Sequence, residues 1–160
     1  MTSAPRDTPE PQLEVAAVDG IGERASQTLS AALVQAALAE VGPLRGGTRV
    51  ESDAIARRQV GEPSACWVAS FGGAEVGFVA AAVRVDGQGT KTGVLDALYV
   101  DAGCRGIGIG EALVGRALEW FRSEGCSGAD AFALPGARAT KNFFEETGFT
   151  ARSLTMHLPL

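Results

Sequence analysis

The chain carries one histidine, His157, and three cysteines, Cys66, Cys104 and Cys126, with no C-x-x-C pair. Metal centres are built from spaced His, Cys and carboxylate ligands, so this poverty argues against one. An odd number of unclustered thiols fits a reducing compartment, and a cytoplasmic protein with free cysteines is expected. Basic charge is also short. Lys and Arg number 14 against 19 Asp and Glu, the net charge is −5, and no basic cluster is longer than Arg57-Arg58. That balance excludes nucleic acid as a main partner. Long apolar runs are missing too. The longest stretch, residues 29–41, contains Gln35 and Glu40 and is too short to span a bilayer, so no membrane partner is expected. The opening residues hold Pro5, Pro9 and Pro11 among the acids Asp7 and Glu10, with nothing resembling the apolar core of a signal peptide.

What is present suits one globular domain. The chain has 160 residues, 46% of them hydrophobic, and a mean hydropathy of +0.10. Residues 1–11 read as a disordered tail rich in Pro, Ser and Thr, and residues 12–160 as the domain. A strand is expected over 13–18. An alanine-rich helix follows over 21–41, with Leu29, Leu33, Ala36, Ala37 and Glu40 at helical spacing and Gly42-Pro43 at its end. Ser52 and Asp53 can cap a second helix to about residue 60. A meander comes next, with strands over 66–71, 76–85 and 92–100, turned at Gly72-Gly73 and Asp86–Gly89. The rest alternates: a helix over 109–124, a strand over 129–134, a helix over 138–147 and a last strand over 151–158.

The densest signal lies at residues 98–114, LYVDAGCRGIGIGEALV. An apolar strand runs into a turn opened by Arg105, and a helix starts within it. Gly106, Gly108 and Gly110 fall in six residues. Backbone this bare can gather several N–H groups into one concavity, and the helix adds unpaired N–H groups and the positive end of its dipole. The product is a diphosphate site or, alternatively, a tight structural turn. No lysine follows Gly110, which rules out a P-loop, and Glu111 stands where a dinucleotide fingerprint needs its last glycine.

The pattern that does fit is R-x-x-G-x-G, Arg105 through Gly108 to Gly110, straight after a strand. It resembles the acetyl-CoA signature of the GNAT N-acetyltransferase superfamily. Residues 142–149, NFFEETGF, are similar to that family's FYE-x-x-GF helix and turn. The resemblance implies an α/β fold of α+β-like character: one domain, a mixed and mostly antiparallel central sheet, helices on both faces, and a splayed parallel strand pair around the glycine loop. It implies acetyl-CoA as acyl donor. The diphosphate would lie on Arg105, Gly106, Ile107, Gly108, Ile109 and Gly110, and the pantetheine arm along the backbone of Leu98, Tyr99 and Val100. The acceptor would be an amine of a small molecule or a protein, entering near residues 44–51. A homodimer is also raised, since family members often pair through their last strands.

The resemblance fails at three polar positions. Where many members carry a tyrosine acid this chain has Phe144, and where some carry Asn and Glu it has Ala137 and Phe132. Asp96 is the replacement candidate for a catalytic base. By period-two counting it shares a strand face with Leu98 and Val100, with Tyr99 opposite, and it could take a proton directly or through water. Pairing with Arg84 is the competing role. Asp130, Tyr99, Cys104 and His157 rank lower, as surface or core residues. Two functions stay open: an acetyl-CoA-dependent N-acetyltransferase, and a non-catalytic acyl-CoA-binding or regulatory module. A different acyl donor is compatible with the same loop.

Overall fold

The structure is a computed structural model and describes residues 12–18, 29–41, 63–154, 156 and 158. Among the described residues, five strands form one sheet in the order β1-β2-β3-β4-β5: β1 Leu13–Ala17, β2 Ser64–Phe71, β3 Ala74–Val85, β4 Lys91–Val100 and β5 Gly128–Ala131. The first four run antiparallel, and β5 joins β4 in parallel. Gly72 and Gly73 close the β2–β3 hairpin with φ of 59° and 82°, the pair of positive values a tight two-residue turn needs. The β3–β4 turn is tied by the Asp86 carboxylate, which accepts from the N–H groups of Gln88 and Thr90.

Among the described residues, three helices cover the sheet. Helix α1, Ala31–Val41, starts where the hydroxyl of Ser30 accepts from the Leu33 N–H at 3.3 Å. Helix α2, Ile109–Ser123, follows the glycine loop, and α3, Arg138–Glu146, follows β5. The sheet has a core on each face. On one, Ile109, Leu113, Val114, Ala117 and Phe121 of α2 and Phe144 of α3 pack on Trp67, Ala69, Val79, Ala81, Val83 and Leu95. On the other, Leu29 and Leu33 pack on Cys66, Val68, Phe78 and Ala80. Side chains such as Ile109 and Leu113, under 2% exposed, contribute about 1.5–3 kcal/mol each by leaving water.

Gly93 of β4 exists for this packing. A Cβ there would lie 2.3 Å from Cγ of Phe121, so the missing side chain is the seat of the ring. Gly77 of β3 serves close approach in the same way, since its Cβ would meet the Tyr99 carbonyl oxygen at 2.7 Å.

Several expected elements are shorter or different. Within the helix expected over 21–41, the helical part of the described chain begins at Ala31, because Ser30 supplies the cap; residues 21–28 lie outside the described residues. So do the expected helix over 52–60 and the acceptor mouth at 44–51. The strand expected over 129–134 stops at Ala131, where pairing with β4 ends. Residues 151–154, expected in a last strand, form none. Alternation alone supplies no ladder partner: Leu154, Met156 and Leu158 stand 77–82% exposed, and Arg152 reaches Asp130 at 3.7 Å.

Candidate functional site

The loop between β4 and α2 is built stepwise. Asp101 accepts from the Gly103 N–H at 2.9 Å and so caps a short 3₁₀ turn, Ala102–Cys104. Arg105 follows at φ −79°, Gly106 at +77°, Ile107 at a negative φ and Gly108 at +89°. Extended Arg105 followed by Gly106 makes a tight turn, and Gly108 leads into α2; the positive φ of the two glycines is the backbone conformation from which an anion nest of N–H groups can be built. Gly108 then starts α2 with no side chain bonding the first turn. The first helical bond is from Ala112 N–H to the Gly108 carbonyl, so the N–H groups of Ile109, Gly110 and Glu111 precede it. Nest and helix N-terminus are contiguous, and together they suit a diphosphate.

The third glycine has another task. A Cβ on Gly110 would stand 2.9 Å from Cε2 of Phe143, so this residue lets α3 close over the start of α2. At Gly106 and Gly108 a built Cβ meets nothing within 4 Å, so those two are glycines for conformation.

Beside the glycine loop, β4 runs on past β5, paired only with β3. Pairing with β5 covers Thr92 to Leu95 and stops, while β4 continues to Val100. Asp101 N–H bonds the Val76 carbonyl of β3, and the Tyr99 carbonyl lies against Gly77 of β3. Strand backbone alternates sides, so Tyr99 faces β3 whereas Leu98 and Val100 face the gap left by β5. That edge can bond an extended amide-bearing chain.

The gap opens at Asp96. The β3–β4 register passes from Ala80↔Ala97 to Ala81↔Leu95, leaving Asp96 as the extra residue of a β-bulge. The bulge corrects the expected facing. Leu95, Leu98 and Val100 pack on the α2 side, whereas Ala97 and Tyr99 pack on the α1 side. Asp96 lies with Ala97 and Tyr99, not with Leu98 and Val100, because two consecutive side chains of a bulge share a face. Its side chain is 3% exposed, and its Oδ1 accepts from Arg84 at 3.2 Å.

Arg105 does not reach into the nest. Its Nε donates to the Val100 carbonyl at 2.8 Å, its terminal nitrogen donates to Glu40 of α1, and its guanidinium carbon sits 5.9 Å from the Tyr99 ring centroid. The hydrogen bond to Glu40 raises the guanidinium pKa. Burial, aided by Asp101 and Glu40, raises the Tyr99 phenol and keeps it neutral. Glu40 was not legible as a site residue. Its one signal is position, a carboxylate in the last turn of a helix, the end that repels negative charge.

The three departures from polar residues are distributed differently. Phe144 is a core residue with Phe143 and Phe149 at ring-centroid distances of 5.5 and 5.3 Å. Ala137 precedes α3, and Phe132, just past β5, is 55% exposed. Cys104 is half-buried, burial raises the Cys126 thiol, and His157 lies outside the described residues. No helix among the described residues is long and apolar enough to cross a membrane.

The model of the acetyltransferase (GNAT) family matches residues 45–149. No curated protein matches the sequence. Among solved structures, a Pyrococcus furiosus protein assigned as an acetyl transferase is similar, with TM-score 0.71 and 21% identity over 93% of this chain and 100% of that one. A Trypanosoma brucei acetyltransferase gives TM-score 0.64 and 25% identity over 93% and 100%. An aminoglycoside N-acetyltransferase in complex with CoA gives 0.64 and 14% over 96% and 97%. At such identities the likeness is one of fold.

Proposed function

The chain belongs to the acetyltransferase (GNAT) family, and from that premise we propose that it transfers an acetyl group from acetyl-CoA to a primary amine. One observation carries this reading: the glycine turn at Gly106–Gly108, the uncapped start of α2 and the open edge of β4 are contiguous. A diphosphate joined to an extended amide arm matches that sequence of donors and acceptors. The CoA in the aminoglycoside acetyltransferase neighbour supports the same choice of donor.

The arm runs along Leu98 and Val100 and points its thioester to the apex of the gap, beside Asp96. The amine nitrogen bonds to the acetyl carbon, the carbon–sulfur bond breaks, and the electron pair leaves with the thiolate. A backbone N–H of the open β4 edge holds the carbonyl oxygen as charge develops there. The amine needs help to lose its proton. With a pKa near 10 it is only about a thousandth deprotonated at pH 7, a deficit of roughly 4 kcal/mol. Asp96, directly or through water, accepts that proton, and Arg84 fixes the orientation of its carboxylate. With Phe144 in the core, α3 offers no tyrosine acid, so the thiolate departs without one.

The test is release of CoA thiol from acetyl-CoA against a panel of amines: a polyamine, an aminoglycoside and a peptide with a free α-amine. Amine-dependent release is expected. Asp96→Asn is expected to lower kcat and leave the KM for acetyl-CoA unchanged. The apolar Phe132, Ala137 and Phe144 favour a second reading, a non-catalytic acyl-CoA-binding module. Acetyl-CoA binding with no release on any amine would decide for it.

A further inference from the structure

We propose that Arg105, the charged residue of the glycine loop, is a brace rather than a phosphate ligand, and that Glu40 of α1 is a positioning residue for acyl-CoA through it. The inference rests on the acyl-CoA reading of the loop. Its basis is what the guanidinium touches. A planar fork of five donors beside an anion nest is the expected phosphate clamp. Here the fork is turned away. One nitrogen holds the Val100 carbonyl on the open edge of β4, another holds the Glu40 carboxylate, and the plane lies near Tyr99.

These contacts join three elements at the mouth of the gap. Val100 ends β4, Arg105 begins the nest, and Glu40 stands 65 residues away in the last turn of α1. Glu40 gains nothing from its own helix, where the carbonyl ends already present negative charge. Its position is accounted for by Arg105. The pair leaves little net positive charge for a diphosphate, so the backbone N–H groups of the nest do the binding. The brace sets the angle between those N–H groups and the edge at Leu98 and Val100. One ligand must meet both surfaces, so that angle governs affinity.

The two roles predict opposite signs. If Arg105 were a phosphate ligand held in reserve, removing Glu40 would free it and tighten binding. If Arg105 is a brace, removing Glu40 loosens the loop and weakens binding. The experiment is calorimetric titration of acetyl-CoA into the wild-type chain, Glu40→Gln, Arg105→Gln and the double variant. Each single variant is expected to bind roughly two- to fivefold more weakly, the range of a partly exposed ion pair. The double variant is expected to be no weaker than Arg105→Gln. In turnover, the KM for acetyl-CoA rises with kcat unchanged. Tighter binding by Glu40→Gln, or independent and multiplying losses in the double variant, would overturn the brace. Failure of the wild-type chain to bind acetyl-CoA would instead remove the acyl-CoA reading itself. Both residues are about half exposed, so the variants are expected to fold, and the two tryptophans give a fluorescence check.

Discussion

Replacing Gly108 by alanine separates a loop shaped for an anion from one shaped only to turn. Gly108 sits at φ +89°, ψ 3°, the left-handed region, and a Cβ built there meets nothing within 4 Å. No clash therefore contributes, and the whole cost is conformational, about 1–2 kcal/mol for an L side chain. For a domain of this size that lowers Tm by about 2–4 °C per kcal/mol. If the loop relaxes toward negative φ to relieve the strain, the Ile109 N–H turns out of the nest. A lost hydrogen bond to a charged group is worth roughly 1.5–3 kcal/mol, so acetyl-CoA affinity is expected to fall roughly tenfold to a hundredfold. Gly115, inside α2 with open space around its Cβ position, is the control. Gly115→Ala is expected to gain about 0.5–1 kcal/mol and leave affinity unchanged. Urea denaturation and calorimetry on the two variants read both quantities. Gly108→Ala with reduced stability and unchanged affinity would refute the nest as the phosphate site.

Three further outcomes follow from the same packing and electrostatics. Gly93→Ala drives a Cβ to 2.3 Å from the Phe121 ring, and a loss of at least about 1–3 kcal/mol is expected in urea, with partial recovery when Phe121 is also shortened to Leu. Phe144→Ala, in the core between Phe143 and Phe149, is expected to cost about 3–5 kcal/mol, which denaturation also reads. Tyr99 is the sole tyrosine, so near-ultraviolet absorbance follows it alone, and its midpoint is expected above 10.0 because burial and the nearby carboxylates disfavour the phenolate. A folded-state pKa raised in this way adds stability that is full below pH 10.0 and is lost as the pH climbs through the raised value. Glu40→Gln is expected to lower the midpoint.

What was legible in the sequence is local chemistry. Arg105 to Gly110 after an apolar strand predicted the loop, and the structure gives Gly106 and Gly108 the positive φ that only glycine adopts freely. The mixed sheet with a parallel pair at its end came from the resemblance to the GNAT superfamily, and the structure has it. What escaped is what depends on a neighbour. Counting by two placed Asp96 with Leu98 and Val100, and one extra residue in the ladder reversed the facing. Gly110 counted as part of the phosphate loop, but Phe143, on another helix, is what requires it to lack a side chain. Glu40 and Arg105 meet only because α1 crosses the sheet near the end of β4, and no spacing in the chain announces a pair 65 residues apart. The last segment shows the reverse limit: of a strand expected from alternation, the described residues 151–154 join no ladder, and Leu154 stands 80% exposed.

The central claim is that the nest and the open β4 edge form one acyl-CoA site. Calorimetric titration of the purified wild-type chain with acetyl-CoA tests it most directly. One site per chain with micromolar affinity is expected, displaced by free CoA and weakened by Gly108→Ala. A folded chain that takes up neither acetyl-CoA nor CoA would contradict it and leave the glycine loop as a structural turn.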